Sequence, residues 1–341
     1  MKSEELLVQP KKTSRIWIII VNYCTTNLVS DCLVSLEFEL DDFGDVRVVI
    51  VDNNSGDGSV SRLTKLVAQK NWGSWVDIIG SDRNGGFAFG NNMGIKLAMQ
   101  KNPEYIMLLN PDTVVRPKAV SALVKFMQEN PKVGIAGSLL ESIEGGIDCS
   151  AHKIHSPLSE LDGGARLGVL SRLLHKYVVS GLPQTEPHPC DWVSGASMIV
   201  RRAVIDDIGL MDDEFFLYFE EVDFCWRATK AGWQVWYVPQ SRVLHLEGAS
   251  TGIKEPAKRR ASYWYDSRRR FFVKHYGVFG LLLADLFWTI GRLSLLLRAK
   301  LGLGGKGIDA DPKRFMSDLL GGDLRSILSG KAWSIRRRPE R

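Results

Sequence analysis

The chain lacks the motifs that would settle its chemistry at once. After the first apolar run there is no G-x-G-x-x-G, and no G-x-x-x-x-G-K-[ST] occurs. These absences argue against a nicotinamide dehydrogenase and a P-loop ATPase. Five cysteines, Cys24, Cys32, Cys149, Cys190 and Cys225, are scattered, odd in number and without a Cys-x-x-Cys pair. A disulfide framework or a zinc site is therefore not expected, and the usage fits a reducing compartment. No apolar run longer than three residues precedes Ile16, and the short one there leads into Asn22 and Tyr23, so it does not read as a signal-peptide core. The expectation is a cytoplasmic catalytic part. Internal repeats and low-complexity segments are also missing. With 45% hydrophobic and 24% charged residues in 341, global disorder, collagen and a coiled-coil rod are excluded. Charge gives no strong sign either: 44 Lys/Arg against 39 Asp/Glu leaves +5. That excess is local, with eight Lys/Arg against two Asp/Glu between Lys254 and His275.

What is present is an alternation. Residues 1–14 are polar and read as a flexible arm. Apolar runs at Ile16–Val21, Val46–Val51, Val76–Ile79 and Tyr105–Leu109 are separated by stretches with helical spacing. Runs of this kind predict βαβ units and a mostly parallel sheet with helices on both faces. Residues 143–189, rich in Gly, His, Ser and Pro, read as loops over the sheet edge. Further strands are expected at Met198–Arg201 and Gln234–Val238, with a helix from Arg202 stopped by Gly209.

Three polar clusters end successive apolar runs: Asp52-Asn53-Asn54, Arg83-Asn84-Gly85-Gly86 and Asn110-Pro111-Asp112. Open parallel sheets bind ligands beyond the carboxyl ends of their strands. Asp and Asn there are also ordinary turn residues, so each cluster alone is weak and only the series is informative. A nucleotide suits them. Asp52 can accept from a base N–H or a ribose hydroxyl, Arg83 suits a phosphate or ribose, and Asp112 is a hard oxygen ligand for Mg²⁺ or Mn²⁺. Glu220 and Glu221 stand between Phe219 and Phe224, where partial desolvation raises a carboxyl pKa and suits a general base. Asp223 reads as the partner of Arg227 one helical turn on.

Together these residues resemble the inverting family 2 glycosyltransferases of GT-A fold, in particular their rhamnosyltransferase-like bacterial branch. The matching segments are Val21-Asn22-Tyr23, the VDNNSGD run from Val51, the RNGGFAFGNNMG run from Arg83, LNPDT from Leu109, WVSGASM from Trp192, FFLYFEEVDFCWR from Phe215, and His245 with Gly248 and Ser250. The resemblance spans roughly residues 16–252. It implies that Tyr23, Asp52 and Asn54 contact base and ribose, and that Arg83, Asn84 and Asn91 line the donor side. Asn110 and Asp112 occupy the family's DxD position, with Asp112 as a ligand of a Mg²⁺ or Mn²⁺ ion and His245 as its second protein ligand or a contact to the diphosphate. Trp192 and Gly195 shape the sugar and acceptor pocket, and the family's Glu-Asp pair falls on Glu220 and Glu221. Two positions depart from the pattern: Asn110 stands for the first Asp of DxD, and Glu221 for the usual Asp.

The implied enzyme is a metal-dependent hexosyltransferase. It would move a sugar, rhamnose as the first expectation, from a dTDP- or UDP-sugar to a glycan or polyprenyl-linked acceptor in cell-surface polysaccharide synthesis. The implied organisation is a catalytic domain over 15–252, with a nucleotide-binding half (15–115) and an acceptor half (116–252), followed by a helical extension over 253–341. Two other classes fit the sequence less well. A sugar nucleotidyltransferase would need a Gly-rich loop with a following basic residue after the first strand, which is not seen. A non-catalytic membrane or nucleic-acid binder would leave the paired carboxylates idle, and no nucleic-acid partner is expected.

Val278–Leu297 is apolar over 20 residues, about the span of a bilayer, but Asp285, Thr289 and Arg292 interrupt it on one stripe. Two charges near mid-membrane disfavour spanning. A helix lying in the interface accommodates them, with Arg268, Arg269, Arg270, Lys274, Arg298 and Lys300 toward anionic headgroups. The other reading is a helix packed on the catalytic domain or on a second subunit. Peripheral membrane contact at the inner face of the cell membrane is the expectation.

Overall fold

The computed structural model describes residues 15–39, 46–181, 184–246, 259–303 and 311–335. The arm over 1–14, the boundary near Gly252, and Gly248 and Ser250 lie outside them.

The strand Ile16–Asn22 is buried at every position, between parallel neighbours Val46–Asp52 and Tyr105–Leu109. Its alternate residues feed two cores. Ile16, Ile18 and Ile20 meet Val29, Leu33 and Leu36 of the Thr26–Glu37 helix and Leu63 of the Ser59–Gln69 helix. Trp17 and Ile19 meet Ala88 and Ile95 of the Gly86–Met99 helix, in a cluster that includes Phe224 and Cys225 of the Glu220–Lys230 helix. Each such side chain contributes roughly 1.5–3 kcal/mol on burial, which is why the run shows no polar alternation.

The sheet runs Val76–Gly80, Val46–Asp52, Ile16–Asn22, Tyr105–Leu109, Ser197–Arg201, Val133–Glu141, Gln234–His245, Thr113–Val115. The first four are mutually parallel. Ser197–Arg201 inserts antiparallel to both neighbours, and Gln234–His245 then runs parallel to Val133–Glu141. A register shift between Val238 and Arg242 lets that strand go on to pair Val243–His245 with Thr113–Val115. The pairing sets His245 opposite Thr113, next to Asp112. The result is a mixed α/β layer structure with a helical C-terminal region.

The middle segment is more ordered than its composition suggests. It contains the helices Pro157–Ala165 and Gly168–Leu173. The first begins with a capping box, in which Ser159 N donates to Ser156 Oγ at 3.2 Å and Pro157 opens the helix. Its glycines, misleading in the sequence, serve packing. A Cβ on Gly164 would lie 2.4 Å from the Trp288 carbonyl oxygen, and one on Gly291 2.5 Å from that of Leu161. Two helix backbones therefore touch where side chains would hold them apart.

The C-terminal helix Ser262–Lys300 breaks at Gly277, whose φ of 73° only glycine adopts without strain. Beyond the break, the polar stripe faces the protein. Asp285 bonds Arg268 at 2.9 Å, Arg292 pairs with Asp311, and Thr289 Oγ1 donates to the Asp285 carbonyl at 2.7 Å. The opposite face carries exposed Phe279, Leu282, Leu286, Ile290, Leu293 and Leu297. This corrects the expected use of the flanking basic residues. Arg268, 1% exposed, bridges Glu160, Asp285 and Asp323. Arg269 holds Asp266 and Asp323, while Arg270 and Lys274 both hold Asp212. Arg298 donates to the Ala165 carbonyl. A buried guanidinium is tolerated only when carboxylates surround it, so these cations knit the extension together and are not spare for headgroups.

Candidate active site

A cleft of about 550 Å³ opens at the carboxyl ends of the central strands. Eight of the residues singled out in the sequence line it: Tyr23, Asn84, Asn110, Asp112, Gly195, Glu220, Glu221 and His245.

Asn110-Pro111-Asp112 leaves the Tyr105–Leu109 strand and is tied to the Ser194–Ala196 loop, since Asn110 N donates to the Ala196 carbonyl at 3.0 Å. Leu246 N donates to the Asp112 carbonyl at 2.9 Å. His245 Nε2 lies 3.3 Å from Asp112 Oδ1 and 3.3 Å from Asn110 Nδ2. A buried carboxylate and an imidazole thus converge on one wall.

The other wall is the Phe215–Phe219 turn and the helix it starts. Tyr218 and Phe219 both take left-handed backbone, with φ of 71° and 68°. Bulky residues hold that conformation at a cost of ~1–3 kcal/mol each. The turn is pinned by Phe87 N donating to the Phe216 carbonyl at 2.8 Å. Gly86 makes this approach possible, for its φ is 88° and a Cβ would sit 1.9 Å from the Phe216 oxygen. Glu220 and Glu221 then open the Glu220–Lys230 helix. One carboxyl oxygen of each, Oε2, is shielded from solvent and accepts no hydrogen bond. Burial pushes the Glu221 carboxyl up to about 7. Burial also raises the Glu220 carboxyl well above its ordinary value, with the neighbouring Glu221 charge adding to it. Gly195 faces this pair, since a Cβ on it would come 3.8 Å from Glu221 Cβ and 3.2 Å from the Phe87 ring.

Asp223 does something else. It bonds Arg227 at 2.9 Å, as its spacing suggests, and also His275 at 2.9 Å and Lys274 at 2.8 Å. These partners, against its burial, hold its carboxyl well below the usual carboxylate range. It clamps the glutamate helix to the C-terminal helix.

Five of the expected residues do not line the cleft. Asp52 is buried and occupied: Asn22 Nδ2 and Ser55 Oγ donate to Oδ1 at 2.7 and 2.6 Å, and Ser55 N to Oδ2 at 3.1 Å. Asn54 is exposed in left-handed backbone, and Arg83 is exposed with its guanidinium 4.7 Å above the Phe89 ring. Asn91 is buried, donating to the Phe87 carbonyl at 2.9 Å. Trp192 stacks on His152 at 4.0 Å and donates to the Lys153 carbonyl at 2.9 Å.

Other residues, assigned no individual role from the sequence, also line the cleft. Asn53 Nδ2 donates to Asn84 Oδ1 and the Gly86 carbonyl, both at 3.0 Å, so it joins two of the three clusters. Its place inside the Asp-Asn-Asn run was the available signal. Phe216, Leu217 and Tyr218 come from the aromatic turn. Tyr263, 5.4 Å from Phe216, comes from the C-terminal helix and had no local signal.

The described residues contain no cluster of three or more His, Cys, Asp or Glu able to hold a metal. The Asp112–His245 pair supplies two protein donors. Cations that keep water or substrate phosphates as their remaining ligands need no more than that.

Comparison with known proteins follows the same outline. Residues 17–209 match the family model described as Glycosyl transferase family 2, and residues 182–266 one described as Glycosyltransferase like family 2. The chain is 30% identical over 270 residues to the N-acetylglucosaminyl-diphospho-decaprenol L-rhamnosyltransferase of Mycobacterium tuberculosis, covering 75% of this chain and 83% of that one. It is 23% identical over 236 residues to the rhamnosyltransferase WbbL of Escherichia coli strain K12, covering 67% and 83%. In fold it is similar to the mannosyltransferase PcManGT from Pyrobaculum calidifontis, solved with GDP-Man and Mn²⁺. That likeness has a TM-score of 0.55 at 14% identity, over 95% of this chain and 89% of that one.

Proposed function

Because this chain belongs to glycosyltransferase family 2, we propose that the cleft transfers a hexose, rhamnose first, from a dTDP- or UDP-sugar to a sugar carried on a polyprenyl diphosphate. One observation carries this reading: two glutamates with unpartnered, solvent-shielded oxygens line the same cleft as the Asp112–His245 pair. The rhamnosyl donor and the lipid-linked acceptor rest on the similarity to the mycobacterial enzyme.

Tyr23 and Asn84 line the nucleotide side. Asp52, Asn53 and Asn91 act behind them by fixing the strand-end loops, and exposed Asn54 and Arg83 remain free to move onto a bound nucleotide. Asp112 and His245 would hold a Mg²⁺ or Mn²⁺ ion, which when bound compensates charge on the diphosphate. Gly195 leaves room for the sugar beside Glu221, and Trp192 stiffens that loop from behind.

Glu221 serves as general base. At neutral pH a carboxyl with pKa about 7 is partly ionised and still basic enough to accept a proton. The acceptor hydroxyl gives its proton to Glu221 as its oxygen bonds the anomeric carbon. On the opposite face the bond to the diphosphate oxygen breaks, and that oxygen keeps the electron pair. The anomeric centre inverts in one displacement. Glu220 is buried beside it, and burial together with the Glu221 charge favours its protonated form.

We place the enzyme at the cytoplasmic face of the membrane, lying on it through the outward row from Phe279 to Leu297. That row is apolar while the polar stripe is spent on internal ion pairs, which supports an in-plane helix. The domain limits 15–252 and 253–341 remain part of this proposal, with Asp223 and Tyr263 coupling the two.

The test is release of nucleoside diphosphate from a panel of nucleotide sugars, with and without a lipid-diphosphate sugar acceptor. Release that requires the acceptor, and is lost in Asp112→Ala together with cation-dependent nucleotide binding, is the expected result. Cation-dependent nucleotide binding unchanged in Asp112→Ala removes the metal assignment.

A further inference from the structure

A second cavity, of about 350 Å³, lies wholly within the C-terminal region, and four of its nine lining residues are arginines: Arg259, Arg260, Arg269 and Arg325. Two of these are already satisfied. Arg259 grips Asp318 through two bonds of 2.7 Å, and Arg269 is held by Asp266 and Asp323. Arg269 also lies against Gly322, where a Cβ would come 2.9 Å from its Nη2. Arg260 and Arg325 have no carboxylate within 4.0 Å among the described residues. Arg260 is instead stacked on rings, 4.5 Å from Trp264 and 5.6 Å from Phe315. Its guanidinium is thus oriented and partly desolvated without a carboxylate bonded to it, and burial lowers its pKa, with Asp311 opposing the shift from a distance. Asp266 and Asp318 also line the cavity, but each is already bonded by another arginine, so four guanidiniums face two carboxylates there. The ring-held Arg260 and the exposed Arg325 are left to meet an anion with several oxygens in a small volume.

Cavity and cleft both take residues from the start of the Ser262–Lys300 helix: Ser262 lines the cavity and Tyr263 lines the cleft. The helix Phe315–Leu328 that contributes Arg325 also exposes Leu324 and Leu328. A lipid-linked acceptor joins a sugar, a diphosphate and an apolar chain, and the cleft, the arginine cavity and the exposed leucines offer one surface for each. The geometry points to Arg260 and Arg325 as a binding site for the diphosphate of the lipid-linked acceptor, set apart from the nucleotide diphosphate at Asp112. This deepens the acceptor reading above and rests on it.

The test uses the full chain and citronellyl diphosphate, a monomeric short-chain probe, titrated into wild type, Arg260→Gln, Arg325→Gln and the double variant. Binding by wild type that weakens roughly 10- to 100-fold in the double variant is expected, from the loss of charge-assisted hydrogen bonds. Thermal shifts with dTDP and UDP should not change. Arg325 is exposed, so Arg325→Gln reports on the site even if Arg260→Gln disturbs the ring stack. No binding of the probe, or equal binding by wild type and double variant, overturns the proposal. So does arginine-dependent sedimentation with phosphatidylglycerol vesicles when the monomeric probe is not bound, which would assign a headgroup site. In turnover, KM for a lipid-diphosphate acceptor should rise with kcat unchanged, while an octyl glycoside without phosphate should be used equally by both proteins. Titration needs no turnover. A chain that binds the probe through these arginines but transfers no sugar would therefore sink the transferase reading and leave the anion site standing.

Discussion

Replacing Glu221 by Gln should make the protein more stable at neutral pH while abolishing transfer. Burial lifts the Glu221 carboxyl from an ordinary 4.5 to about 7. A carboxyl raised in the folded state keeps its proton where the unfolded chain has already lost it. Stability contributed by the protonated form is therefore present at low pH and declines as pH rises from about 4.5 to about 7. At ~1.4 kcal/mol per pH unit that interval amounts to roughly 3 kcal/mol in total. Glutamine resembles the protonated acid and does not titrate. The stability difference between Glu221→Gln and wild type should therefore grow by roughly 2–3 kcal/mol between pH 5 and pH 8. Urea unfolding at pH 5, 6, 7 and 8, at unchanged slope, measures this as a shift in midpoint. Any fixed cost of burying an amide enters at every pH and cancels from the trend. A stability difference that stays constant across the series, or shrinks toward pH 8, would refute the burial argument. The same ionisation sets the activity profile, so kcat/KM should rise with pH through about 7 and then level off.

Arg268→Met leaves Glu160, Asp285 and Asp323 facing one another and should cost about 3–5 kcal/mol by urea unfolding, a loss that an unshifted midpoint would contradict. Serine in place of Leu286, Ile290 and Leu293 together should leave the melting temperature nearly unchanged, since these side chains are exposed, while sharply reducing co-sedimentation with phosphatidylglycerol vesicles. Unaltered sedimentation would remove the membrane-facing role of that row. Gly86→Ala places a methyl group against the Phe216 carbonyl and strains a φ of 88°, so it should cost more than ~1–3 kcal/mol and weaken dTDP binding in a thermal-shift titration. Wild-type binding in that variant would show that the aromatic turn can move without consequence.

The sheet was legible because strands buried on both faces carry unbroken apolar runs, and the polar residues that end them mark the ligand edge. Ile16–Val21 into Asn22 and Tyr105–Leu109 into Asn110 are the clearest cases. Legibility failed where a residue's job depends on what it faces. Asp52 looks like a ligand contact in the sequence, yet its carboxylate is used by Asn22 and Ser55. Pro157–Ala165 looked like loop because its glycines signal close helix contact as readily as a turn. Tyr263 enters the cleft from a helix some forty residues past the glutamates, a tertiary meeting that no local pattern encodes. The basic run Arg268–Arg270 pointed to a surface. Its partners, Glu160, Asp212 and Asp323, are distant in sequence, so only the fold reveals that the charges are internal.

Most directly, the central claim rests on Glu221 taking the acceptor's proton in a cleft that holds the donor independently of it. Donor binding and acceptor-dependent release of nucleoside diphosphate should be measured side by side on wild type and Glu221→Gln. Binding retained with release abolished is the predicted result; a Glu221→Gln protein that transfers sugar at near wild-type rate contradicts it.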